Sequence, residues 1–159
     1  MIADLAAAAL LSGQPAGGPA PNPLLDALSP MDVREIMEAR GGRVRAFMPR
    51  ADTFITTVEF AGGLEAQVYA YDCEDTDLGE LMRCPEFTLT ATFTAPDAAA
   101  ATAAEEALAT VWLYAASSDR YFTLGRMEMM QGGVSWARLA GVFATFEQIA
   151  SAGLAQGEQ

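Results

Sequence analysis

The spacing of apolar residues changes twice along the ordered part of the chain, and those changes outline its elements. In "SPMDVREIMEARGG" the residues Val33, Ile36, Met37 and Arg40 recur at helical spacing on one face. Ser29 is placed to cap, Pro30 suits the first helical position, Asp32 completes a capping box, and Gly41 supplies the stop. From Arg43 to Ala95 the period becomes two, the signature of strands with one buried face. "RVRAFM" and "TFITTVEF" flank the turn "PRAD", "LEAQVYAY" follows "AGG", and "EFTLTATFT" alternates Phe87, Leu89, Ala91 and Phe93 with four threonines. Turns this short favour an antiparallel meander, because a parallel crossover needs a dozen residues or more.

Helical spacing returns in "APDAAAATAAEEALATVWLYAASS", with Ala104, Leu108, Val111, Trp112 and Ala115 on its inner side. "DRYFTLGRMEMM" then reads as a fifth strand. Arg120, Phe122, Leu124, Arg126 and Glu128 lie on one side of it, and Tyr121, Thr123, Met127 and Met129 on the other. Neither side is cleanly polar, which suits a strand buried on both faces or one covered by a partner. Phe122, Leu124, Met127 and Met129 are therefore the candidate partner-binding residues, although core filling is the plainer explanation of the methionines. A last helix, capped by Ser135, presents Trp136, Leu139, Ala140, Phe143, Phe146 and Ala150 as a broad apolar face. The order α-β-β-β-β-α-β-α predicts an α+β domain over residues 29–152, with helices on one face of an antiparallel sheet of about five strands.

Two terminal segments fall outside that pattern. Residues 1–28 combine an apolar run, Leu5 to Leu11, with Pro/Gly/Ala-rich sequence. They read as a flexible arm or a degenerate export signal that carries Asp4 in place of a basic start. Residues 153–159 are expected to fray. The two readings of the start leave a cytoplasmic and a periplasmic location both open.

Composition narrows the chemistry. Nine basic residues, all arginine, face 21 acids, for a net charge of -12 with no histidine. Such a surface repels nucleic acid and anionic membranes. No run approaches the roughly 20 apolar residues that span a bilayer. Without histidine there is no Ser/His/Asp triad, no Cys/His pair and no imidazole ligand. No catalytic residue and no cofactor are assigned.

The remaining chemistry concentrates in "VYAYDCEDTDLGELMRC", residues 68–84. Counting from Asp75 as the first position of a calcium loop, Asp77 and Glu86 fall at positions three and twelve. Gly79, however, sits one place before the required glycine. An irregular divalent-ion site using Asp75, Asp77 and Glu86 is the weaker reading, and a solvated acidic loop the plainer one. Two cysteines alone cannot supply a zinc or cluster site, and C-x-x-C spacing is absent. Cys73 ends one strand and Cys84 precedes the next, so a hairpin brings them together. A disulfide would add roughly 3 kcal/mol on the chain-entropy model and would form in an oxidising compartment; two reduced thiols are the alternative.

These features resemble the YbjN family, described as bacterial sensory transduction regulators. The resemblance runs over residues 29–152. It rests on "SPMDVREIMEARGG", Tyr71-Asp72-Cys73, Cys84, the Phe-rich strand, the helix bearing Trp112, and the Gly-Gly-Val turn before the last helix. It implies a fold similar to type III secretion chaperones, a homodimer, and a regulatory or protein-binding role with an unidentified protein partner rather than catalysis. Family members usually carry Trp-Asn and then two strands. Here Trp112 precedes Leu113 and only "DRYFTLGRMEMM" stands in the hairpin's place, so one strand is expected to be missing. The competing expectation is an envelope protein that binds a small ligand or divalent ion through the acidic loop, residues 72–86.

Overall fold

The computed structural model describes residues 24–74, 82–108 and 114–157. Its elements are β1 (Leu24–Leu25), α1 (Pro30–Ala39), β2 (Arg43–Pro49), β3 (Phe54–Glu59), β4 (Glu65–Tyr71), β5 (Glu86–Thr94), α2 (Ala98–Leu108), β6 (Tyr114–Ser118), β7 (Tyr121–Met129), β8 (Val134–Ser135) and α3 (Trp136–Gly157). The fold is α+β. Six strands form one antiparallel sheet in the order β2-β3-β4-β5-β7-β6, and β1 pairs with β8 in a separate two-stranded ribbon.

Helix α1 forms where its caps dictate. The Asp32 carboxylate accepts from the Ser29 amide at 2.7 Å while the Ser29 hydroxyl accepts from the Asp32 amide at 3.2 Å, a reciprocal capping box. Gly41, at φ +73°, turns the chain out of the helix in a conformation that favours glycine. The four strands expected between Arg43 and Ala95 are β2 to β5, in consecutive antiparallel register.

Three expectations change. The helix expected across residues 95–118 spans Ala98–Leu108 among the described residues, and Ala115 belongs to a strand, β6, paired with Leu124. Asp119, at φ +53°, turns β6 back into β7. The strand thought to be missing is therefore present. Alanines supply helix propensity without committing to an element, and pairing with β7 outweighs that propensity. Val111 and Trp112 lie outside the described residues.

Order also begins earlier than residue 29. Leu24 and Leu25 pair with Ser135 and Val134, and Leu28 is fully buried and exchanges backbone hydrogen bonds with Cys84 at 2.8 and 2.9 Å. Gly133 makes the ribbon possible, because a Cβ there would lie 2.8 Å from the Leu24 Cβ. At the other end α3 continues to Gly157, past the expected fraying point at 153.

One face of the sheet carries the core. Phe54, Val58, Val68, Phe87, Leu89, Phe93, Phe122 and Leu124 project from it beneath the helices. Phe87 stacks on Phe143 of α3 at 6.0 Å between ring centroids, and Phe93 on Phe122 at 4.9 Å. Helix α1 packs over β2 and β3, α3 over β5, and α2 over β6 and β7.

Candidate protein-docking face

Because side chains alternate along a strand, the residues between those core positions form the opposite face. Among the described residues no helix lies on it. The register aligns Met48, Ile55, Tyr69, Thr88 and Met127 in one row across β2, β3, β4, β5 and β7. The neighbouring row places Tyr71, Glu86 and Met129 side by side. Met48 is 44% exposed, Met127 57% and Met129 53%. Together these rows make an apolar band at one end of an otherwise polar face.

The other end is threonine-rich. Thr57, Glu65, Gln67, Thr90 and Thr92 surround a shallow hollow of about 200 Å³. Thr92 and Thr123 hydroxyls share a hydrogen bond at 2.9 Å across β5 and β7. On the flank, Glu59 accepts from Arg43 at 2.8 Å and also pairs with Arg45, the residue bulged out of register between Val44 and Ala46. Burial acts to raise the Glu59 pKa, but the two guanidiniums outweigh it and hold the carboxyl below its ordinary value. Glu65 and Glu86 have no ion pair among the described residues.

The four proposed partner-binding residues are thus divided between the faces. Phe122 and Leu124 are fully buried under α2 and cannot meet a partner, a correction that follows from strand alternation. Met127 and Met129 point outward, while Met130 just beyond them is core. Thr88, one of the four threonines that alternate along β5, is buried between Tyr69 and Met127 in the row.

Sequence patterning also missed a charged cluster on the covered face. Glu128 is 7% exposed and accepts from Arg126 at 3.1 Å and from Arg138 of α3 at 2.9 Å. The pair fastens α3 to β7 beside Phe87. An arginine and a glutamate two residues apart in an otherwise apolar strand were its only sequence signal.

Cys73 and Cys84 are joined by a disulfide, with Cα atoms 4.0 Å apart. The bond closes the end of the β4–β5 hairpin, and through Cys84 it also secures Leu28 ahead of α1. Asp75 and Asp77 lie outside the described residues. Glu86 sits on the open face opposite Met129, and among the described residues no group of three or more Cys, Asp or Glu is arranged to hold a metal ion. No helix among them is long and apolar enough to cross a membrane.

No family model matches the chain, and no curated protein matches it. A crystal structure of an uncharacterized protein from Methanothermobacter thermautotrophicus is similar, with a TM-score of 0.50 at 12% identity over 82% of this chain and 99% of that one. At that identity the likeness concerns the fold alone.

Proposed function

We propose that the chain is a regulatory, adaptor-like protein-binding domain similar to the YbjN proteins, acting through the open face of its sheet and not by catalysis. The observation that carries this reading is the exposed band of Met48, Met127 and Met129 on a sheet whose opposite face is covered by three helices. Methionine side chains are flexible and polarizable, and they suit a surface that accommodates a polypeptide partner. The histidine-free composition supports binding over acid–base chemistry. The Cys73–Cys84 bond supports an oxidising compartment.

A photo-crosslinking side chain at position 129, compared in host cells with one at Glu106 on α2, tests the face. A discrete crosslinked polypeptide from position 129 alone is expected. A crosslink from Glu106 alone would move the site to the helical side, and none from either position would overturn the reading.

A homodimer belongs to the same reading, joined through β6. The other edge, β2, carries Arg43, Arg45, a bulge and Pro49, all of which resist strand addition. Strand β6 is uncharged, and its guard is the Glu105 carboxylate, which accepts from the Ser117 amide at 2.8 Å. Light scattering on Ala115→Pro, which removes an edge-facing backbone donor because the amides of Ala115 and Ser117 point away from β7, is expected to give a monomer where the wild-type chain gives a dimer. A wild-type monomer refutes this part.

A further inference from the structure

Resting on that protein-binding reading, we infer that the occupant of the open face is a basic, amphipathic helix of another protein, laid across the strands along the Met48–Met127 row. Three observations specify it. The first is the shape of the exposed band. Its residues run as one continuous row across five strands, so an occupant must cross the strands to cover them, whereas an added strand pairs at an edge and leaves the row open. The second is length. From β2 to β7 the row crosses four inter-strand gaps of about 4.8 Å, or about 19 Å, which a helix of about 13 residues covers.

The third is charge. Glu59 on this face is already matched by Arg43 and Arg45, whereas Glu65 and Glu86 are not ion-paired among the described residues. Glu86 stands between Tyr71 and Met129, inside the apolar band. A helix with apolar residues toward Met48, Ile55 and Met127, and lysine or arginine along its margin, satisfies both features. A second copy docked by this same face does not, because it sets Glu65 and Glu86 against acids of its own kind.

Fluorescence anisotropy with the full chain and three labelled synthetic helical peptides, each about 14 residues long, tests this. One is an amphipathic Leu/Lys peptide, one its Leu/Glu counterpart, and one a Ser/Lys peptide that keeps the charge without the apolar side. The Leu/Lys peptide is expected to bind at least about tenfold more tightly than either of the others. Met127→Ser with Met129→Ser is expected to weaken it about tenfold, while Met31→Ser, at an exposed methionine on α1, leaves it unchanged. Equal binding of the Leu/Glu peptide overturns the basic partner but leaves the protein-binding reading standing. Equal binding of the Ser/Lys peptide shows charge attraction alone and overturns the helical site. Indifference to the methionine pair overturns the location. Failure of all three peptides overturns the inference, and the crosslink at position 129 then decides the broader reading separately.

Discussion

The two faces of the sheet are made from the same strands yet differ in what covers them. On one, Phe54, Phe87, Phe122 and Leu124 are fully buried beneath three helices, and even a glutamate is held there by two arginines. On the other, Met48, Met127 and Met129 stand open beside threonines and glutamates. Strand β7 supplies both, its successive side chains turning alternately to the covered side and the open side. Two methionines separated by one position, Met127 and Met129, therefore share an exposed fate that Met130 does not.

Substitutions on the two faces should separate sharply. Phe143→Ala removes the ring stacked on Phe87 and is expected to cost about 3–5 kcal/mol in urea unfolding. Met127→Ala with Met129→Ala should stay within about 0.5 kcal/mol of wild type. Similar losses from both would mean that the open face is packed and not free to dock.

Replacing both Cys73 and Cys84 with alanine should cost about 3 kcal/mol, measured as a lower unfolding midpoint without reductant. Because Cys84 holds Leu28, hydrogen exchange should rise first around residues 26–33, on the covered side. An unchanged midpoint would show that the bond does not constrain the unfolded chain.

A smaller effect of opposite sign is expected at Thr56. It points into the covered face, is buried, and its hydroxyl has no hydrogen-bond partner among the described residues. Thr56→Val should stabilise the protein by about 1 kcal/mol. Loss of stability instead would mean that the hydroxyl is satisfied.

The smallest effect belongs to the flank of the open face. Glu59 has a lowered pKa in the folded state, so its contribution is present above the unfolded carboxylate pKa. That contribution fades as the pH falls through the lower folded value. Carboxyl NMR titration should find Glu59 titrating below an ordinary glutamate, and higher in Arg43→Gln with Arg45→Gln. An unchanged titration in that variant would remove the two arginines as the cause.

Most of this architecture was legible because local signals agreed with one another. Ser29, Pro30, Asp32 and Gly41 each mark α1, and strict alternation marks β3, β4 and β5. Strand β6 was illegible because Tyr114-Ala-Ala-Ser-Ser has neither alternation nor length, and Ala115 falls at helical spacing from Leu108. The site was half legible. Mixed polarity singled out β7 but could not say which side the helices would take, so buried Phe122 and Leu124 were grouped with exposed Met127 and Met129. The Met48–Met127 row depends on register across five strands, which no single segment encodes.

On the proposed reading a partner sits on the open face and not on the helical side. Methyl NMR of the chain's eight methionines, titrated with the Leu/Lys peptide, tests it most directly. Saturable shifts are expected at Met48, Met127 and Met129, with Met31, Met37, Met82 and Met130 unmoved. Shifts at Met31 or the buried methionines, with the three open-face methyls still, would contradict it.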